Sequence, residues 1–526
     1  MLNIELQNGW QLPSFLIRNI LFVVILTAAA IPSALGSDIA QSGEDEFRKL
    51  LKQGDRHVKR GEMPEAEKSF RRILSIDPKH AGARLKLAFV YLKQRRLNEA
   101  YDLSFAAAKE DPKNARAFAI LGATLLGAGR FDDARKILVT SLRLDRDEAL
   151  AWAGFGMLDF YENRILDSLA NLREAVYHEP NDPDYVFSFA QVSARAERYN
   201  DSAAAYNRFL NLSRNTDDER RARIKGLINF LRFLGQKEKL YTIAGQTETL
   251  VPFEMTGNRP VIQLNVNGRD DKLNFVLDTG SGISVISDKT AERLGIEPIT
   301  RGGFAKGIGG DGRFEIVYGF LRTVEIGDVK IKNVPVYIRK FHSGTNEVDG
   351  YIGLSLISKF LTTIDYGAKT FSLTQADQTA SAALEDMGIS LPLRLTSSGF
   401  LSGEVKLEGV SEPLNFIVDT GASVSVISDD VAGMSAVSPF ESGEKMRVVG
   451  AAGITDDVPS FLLPRVSFGS HTRTSVAAIA LNLDIINEAS GFEQAGILGG
   501  NFLKNYRMIF DFRKSQVTFI PLSRDP

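Results

Sequence analysis

Cysteine is absent from all 526 residues, which excludes a disulfide framework, a thiol nucleophile and a thiolate metal site. Histidine is scarce, with five scattered copies and no His-x-x-x-His cluster, so neither a metal nor any other cofactor is expected. An excess of either charge is missing as well. The 63 Lys and Arg residues offset 65 Asp and Glu to a formal net charge of -2, which leaves no electrostatic grip on nucleic acid or on an anionic membrane. Hydrophobic content of 44% in a chain of this length suits three or four globular domains and excludes disorder for most of it.

No apolar run is long enough to span a bilayer. The longest near the N-terminus, Ile20 to Ile31, would cover about 18 Å as a helix against a hydrocarbon core of about 30 Å. Arg18 precedes it, and Ala34 and Gly36 follow at the spacing of a signal-peptidase site. Residues 1–36 are therefore expected to be a cleaved signal peptide, with an exported, periplasmic or cell-surface protein behind it. Glu5 offsets Arg18 and the leading region is long, so an uncleaved membrane anchor and a start codon placed too early are the alternatives.

Between Phe47 and about Asn215, inside an expected solenoid domain of residues 37–245, the chain repeats with a period of 34. Pro78, Pro112, Arg146 and Pro180 mark the turns. Gly54, Ala88, Gly122, Gly156 and Ala190 form one small-residue series, and Ala66, Ala100, Ala134 and Ser202 another. Phe70, Leu138, Leu172 and Tyr206 form a large apolar series. Small residues let two helices approach while large ones fill the gap beyond, the seam of a helix-turn-helix pair. With Trp152, Gly156 and Pro180 as its best single match, the array resembles tetratricopeptide repeats, about five of them, and Asp217 to Gln236 reads as a capping helix. Such an array implies a surface for a peptide or partner protein; the alternative is a spacer.

Beyond about Gly245 the texture changes to short β-branched runs broken by Gly, Asn and Asp. The segment Leu273 to Asp288 returns as Leu414 to Asp429, identical at eleven of sixteen positions. Each copy is an apolar strand ending in Asp-Thr-Gly, so each delivers one carboxylate, Asp278 or Asp419, from a tight turn. A second landmark repeats in order: Gly350-Tyr351-Ile352-Gly353-Leu354 in the first half and Gly496-Ile497-Leu498-Gly499-Gly500 in the second.

This order resembles the lobes of pepsin- and retropepsin-like aspartic peptidases from about Val251 to Pro521. The expected fold is multidomain, an all-α tetratricopeptide solenoid followed by two all-β acid-protease lobes, at 246–376 and 385–526. The resemblance implies Asp278 and Asp419 as the catalytic pair, Thr279 and Thr420 as cross-axis supports, and a polypeptide substrate. Gly280 and Gly421 leave room for a sharp turn whose N–H approaches the carboxylate of its own lobe. Two carboxylates about 3 Å apart cannot both ionise comfortably, so one becomes base and the other acid.

Gly307, Gly309 and Gly310 follow the first motif, and Gly450 and Gly453 follow the second at a similar interval, where covering flaps fall; ordinary glycine-rich turns are the alternative. Gly307, Gly309 and Gly312 also spell a G-x-G-x-x-G pattern, but the β-type run Phe314 to Tyr318 stands where a dinucleotide site needs a helix. Ser281 corresponds to Ala422, and Gly282 to Ser423, so the lobes have diverged and an asymmetric cleft is expected. Besides a peptidase closed within one chain, two arrangements remain open: lobes paired between molecules, and a non-catalytic peptide-binding scaffold.

Overall fold

A computed structural model describes residues 36–310, 312–342, 348–375 and 389–522. All of the expected leader but Gly36 lies outside them. Eleven helices come first: α1 (Gly36–Arg60), α2 (Met63–Ile76), α3 (Ala81–Lys93), α4 (Leu97–Glu110), α5 (Ala115–Gly127), α6 (Phe131–Leu144), α7 (Ala149–Tyr161), α8 (Ile165–His178), α9 (Pro183–Arg195), α10 (Tyr199–Leu212) and α11 (Asp218–Gly235). The period of 34 governs their caps. His80, Asn114, Glu148 and Asp182 each accept a backbone N–H of the helix they open, satisfying donors that have no partner within the helix. Gly61, Arg95, Gly129, Asn163 and Glu197, again 34 apart, all turn with positive φ between paired helices. Inside the seam a Cβ on Gly122 would lie 2.7 Å from Leu138 Cγ, and one on Gly156 only 2.5 Å from Leu172 Cγ, so these sites must stay small.

Twelve strands follow in the first lobe: β1 (Thr242–Gly245), β2 (Glu248–Pro252), β3 (Glu254–Thr256), β4 (Arg259–Val266), β5 (Leu273–Leu277), β6 (Val285–Ser287), β7 (Thr300–Lys306), β8 (Arg313–Ile326), β9 (Val329–Arg339), β10 (Gly350–Ile352), β11 (Leu361–Asp365) and β12 (Thr370–Thr374). The second lobe contributes β13 (Ile389–Pro392), β14 (Arg394–Leu395), β15 (Leu401–Leu407), β16 (Leu414–Val418), β17 (Ser425–Ser428), β18 (Glu441–Gly450), β19 (Gly453–Phe468), β20 (His471–Leu481), β21 (Gly496–Leu498), β22 (Tyr506–Asp511) and β23 (Gln516–Pro521). A strand, β8, does follow the G-x-G-x-x-G run. In spatial order β4-β5-β10-β6-β9-β8 closes on itself, and β15-β16-β21-β17-β20-β19 closes in the same order. The duplication is therefore one of fold as well as of motif.

A six-stranded sheet, β13-β23-β22-β11-β12-β2, takes three strands from each lobe. Its centre is the antiparallel pair β11–β22, with Thr363 opposite Ile509, so the two lobes of one chain hydrogen-bond to each other. The same sheet feeds the continuous core, where Phe371, Met508 and Phe510 are fully buried.

The solenoid is joined to both lobes along the edge formed by its intra-repeat turns. Asn163 donates to the carbonyl of Phe512 at 2.7 Å, and Glu197 accepts from Lys359 at 2.8 Å. Phe492, fully buried, inserts among the solenoid helices with its ring 4.9 Å from those of both Phe131 and Tyr161. Helix α11 does more than cap the array. It lies on β7 so closely that a Cβ on Gly226 would come 2.5 Å from the Arg301 carbonyl, and Phe230 stacks on Tyr318 of β8 at 4.4 Å.

Candidate active site

Apolar strands β5 and β16 are buried along most of their length, and the polar Asp-Thr-Gly turn sits where each strand runs out of core to fill. Each turn is pinned to the neighbouring strand, Asp278 N–H to the Ile352 carbonyl and Asp419 N–H to the Leu498 carbonyl, both at 3.0 Å. Thr279 and Thr420 are fully buried and bond reciprocally across the axis. The hydroxyl of Thr279 donates to the Val418 carbonyl at 2.6 Å and that of Thr420 to the Leu277 carbonyl at 2.7 Å; each hydroxyl also accepts the other threonine's N–H at 3.1 Å. Four hydrogen bonds with no water to replace them hold the two turns in one register.

Asp278 and Asp419 are thereby brought side by side: a Cβ on Gly421 would meet Asp278 Oδ1 at 2.7 Å and Asp419 Oδ1 at 3.1 Å. The carboxyls lie at a partly exposed floor, with their glycines pressed against the opposite lobe: a Cβ on Gly421 would stand 2.7 Å from Asp278 Cγ. Burial pushes the Asp278 carboxyl well above the usual range, and the charge on Asp419 adds to that. Burial also raises Asp419, but Asp278 and the N–H groups of Gly421, Ala422 and Gly280 oppose it. Gly421 and Ala422 donate at 2.7 and 3.1 Å, whereas Asp278 receives one backbone bond, from Gly280 at 3.0 Å. More donors favour the ionised form, so Asp419 is the readier of the two to ionise. Behind the turns, Ser284 accepts from Gly353 N–H and Ser425 from Gly499 N–H, both at 3.1 Å, a matched second layer.

The five candidate flap glycines occupy the tips of two hairpins, β7–β8 and β18–β19. Gly309, Gly310 and Gly453 have φ of 96°, 56° and 145°, where side chains are strained. The tips meet: Gly310 N–H donates to the Ile454 carbonyl at 3.1 Å and Ala452 N–H to the Ile308 carbonyl at 2.8 Å. Gly307 keeps its own turn closed by donating to the Gly312 carbonyl at 2.9 Å, with no room for a side chain beside the Phe314 ring; Gly450 abuts Ile308. The Ile308 side chain packs on Ile417, Ile479 and Ile497, the cluster on which Ala422 also rests beside Asp419.

Three residues not singled out in the sequence share this region. The charge of Arg339 acts to lower the Asp278 pKa, and Tyr351 lies within the electrostatic reach of Asp278, Arg339 and Arg259. Nothing in their local sequence marks them, because only the strand register brings β4, β9 and β10 together. Among the described residues no group of His, Asp and Glu could hold a metal ion.

A family model described as aspartyl protease matches residues 262–356 and again 403–502, and a tetratricopeptide repeat model matches residues 57–104. No curated protein matches the chain. Among solved structures, TTC0263, a TPR protein of Thermus thermophilus, is 20% identical, covers 35% of this chain and 98% of its own, and has a TM-score of 0.30. The pilF protein of Pseudomonas aeruginosa is 17% identical, with 37% and 87% covered and a TM-score of 0.28. The chain carries a tetratricopeptide repeat region followed by a duplicated, retropepsin-like aspartyl-protease domain.

Proposed function

We propose that this protein is an aspartic endopeptidase in which Asp278 and Asp419 activate one water against a peptide carbonyl. The observation that carries the reading is the juxtaposition of the two carboxyls, held by the Thr279–Thr420 lock. A water bound between the two groups loses a proton to ionised Asp419 as its oxygen attacks the carbonyl carbon, and Asp278 gives its proton to the carbonyl oxygen. The resulting gem-diol collapses as Asp419 passes its proton to the amide nitrogen, the C–N bond breaks and a gem-diol hydroxyl gives its proton to Asp278. Both carboxyls then return to their starting states. An extended substrate lies beneath the hairpins Thr300–Ile326 and Glu441–Phe468, which part to admit it. Asp278→Asn and Asp419→Asn should each fold, with unchanged far-ultraviolet circular dichroism, and lose at least about 10³-fold in cleavage of an unfolded protein. Full activity in either variant would refute the mechanism.

Export is the companion proposal, supported by the apolar run Ile20 to Ile31 and the small residues Ala34 and Gly36. Among the described residues no helix is long and apolar enough to cross a membrane. N-terminal sequencing of the full-length product from an envelope fraction should begin near residue 37; an intact Met1 would support the anchored alternative. The solenoid would hold a polypeptide partner or substrate for the lobes it grips.

A further inference from the structure

The two halves of the cleft differ in chemistry at positions that the strand register makes equivalent. β6 pairs with β9 as Ser287 with Arg339, and β17 pairs with β20 as Ser428 with Leu481, so Arg339 and Leu481 are counterparts. β10 and β21 set Tyr351 beside Val276 and Ile497 beside Ile417. β4 and β15 place Val261 opposite Val276 and Ser402 opposite Ile417, which makes Arg259 the counterpart of Phe400. At all three positions the first lobe is polar and the second is apolar. In the second, Ile417, Ile479 and Ile497 form a dry cluster on which Phe400, Leu481 and the tip residue Ile308 pack.

The first-lobe half is a cationic aromatic box. The Arg339 guanidinium lies 5.2 Å from the Phe314 ring centre and 5.9 Å from that of Phe341, and Phe341 meets Tyr351 edge to face at 5.3 Å. Neither Arg339 nor Arg259 has a carboxylate salt-bridge partner among the described residues, and the Nε of each is buried without a hydrogen-bond acceptor. A half-buried guanidinium whose Nε–H meets no protein acceptor is free to take an anion of fixed position. Asp278, whose charge acts on Arg339, makes no salt bridge with it. We propose that the first lobe selects a carboxylate on the substrate, held by Arg339 and Arg259, while the second lobe takes an aliphatic or aromatic side chain across the scissile bond.

This specificity rests on the peptidase reading above. It is tested with the full-length protein and a library of internally quenched peptides whose residues flanking the cut are varied. Wild type should favour an acidic side chain on one side and Leu, Ile or Phe on the other by about tenfold or more over Gln in the acidic position. Arg339→Leu, which places leucine where the second lobe has Leu481, should erase the acidic preference, raising KM for the acidic peptide to that of its Gln counterpart. Amidated and free-acid peptides separate the two sources of a carboxylate: preference kept on amidation means a side chain, and preference lost means a chain terminus. Cleavage with no acidic preference in wild type overturns the specificity while leaving the dyad intact; no cleavage of any peptide overturns the peptidase reading instead. Should Arg339→Leu misfold, Arg259→Phe and the wild-type library still decide. An Arg339 that only tunes Asp278 would shift the pH profile of every peptide alike, which also overturns the proposal.

Discussion

A single proton sets the behaviour of the Asp278–Asp419 pair. Because burial raises the Asp278 carboxyl above the unfolded value of about 4, the folded protein binds more protons than the unfolded chain between that value and the raised one. The contribution to stability is therefore complete at pH below about 4 and is lost as pH rises through the raised pKa. Cleavage should fall over the same window, because the acid is then ionised. Thermal midpoints measured against pH should decline across it in wild type, and Asp278→Asn, which cannot ionise, should flatten the decline. Identical slopes in the two proteins would contradict the assignment of the proton. Asp278, Asp419 and their threonines were legible in the sequence because a duplicated Asp-Thr-Gly is a local pattern. Arg259, Arg339 and Tyr351 were not, since they stand on three different strands, β4, β9 and β10, and only the barrel closes the gap between them.

At the scale of elements, helix α11 and the hairpin β7–β8 behave as one unit. Arg223 donates to the Phe304 carbonyl at 3.1 Å, Glu219 pairs with Arg313 at 2.9 Å, and Phe230, Leu234 and Tyr318 are buried together. The far end of the hairpin is held by the opposite tip and by Lys306 facing Glu488 at 3.4 Å. Truncating Phe230 to alanine removes a buried ring, a change that costs about 3–5 kcal/mol in well-packed cores. The root of the flap should loosen first, so Phe230→Ala should speed amide hydrogen exchange over residues 300–320 while the Thr279–Thr420 core stays protected. Unaltered exchange there would sever the link between solenoid and flap. The charged and then apolar composition of Asp217 to Gln236 predicted a capping helix, and a helix stands there, Asp218–Gly235. That it packs on the β7–β8 hairpin was invisible, because one face of the helix is apolar whether it covers a repeat or a strand.

The whole molecule is arranged so that one chain supplies both halves of the site. The central sheet joins β11 to β22, and Phe492 locks the second lobe to α6 and α7. A monomer should therefore be sufficient for cleavage: sedimentation of the active protein should give a single species near 57.9 kDa before any leader is removed, and activity per molecule should not change on dilution. Activity that vanishes on dilution in step with dissociation of a dimer would point to pairing between molecules. Local patterns in the amino-acid order carried the repeat length, the barrel strands and the two acidic turns, because each depends on spacing between near neighbours in the chain. The meeting of the carboxyls, the contact of the flap tips and the contrast between an arginine-lined and an isoleucine-lined half-cleft depend on strand register between segments far apart in the sequence. Such contacts exist only once β11 and β22 bring the two barrels face to face.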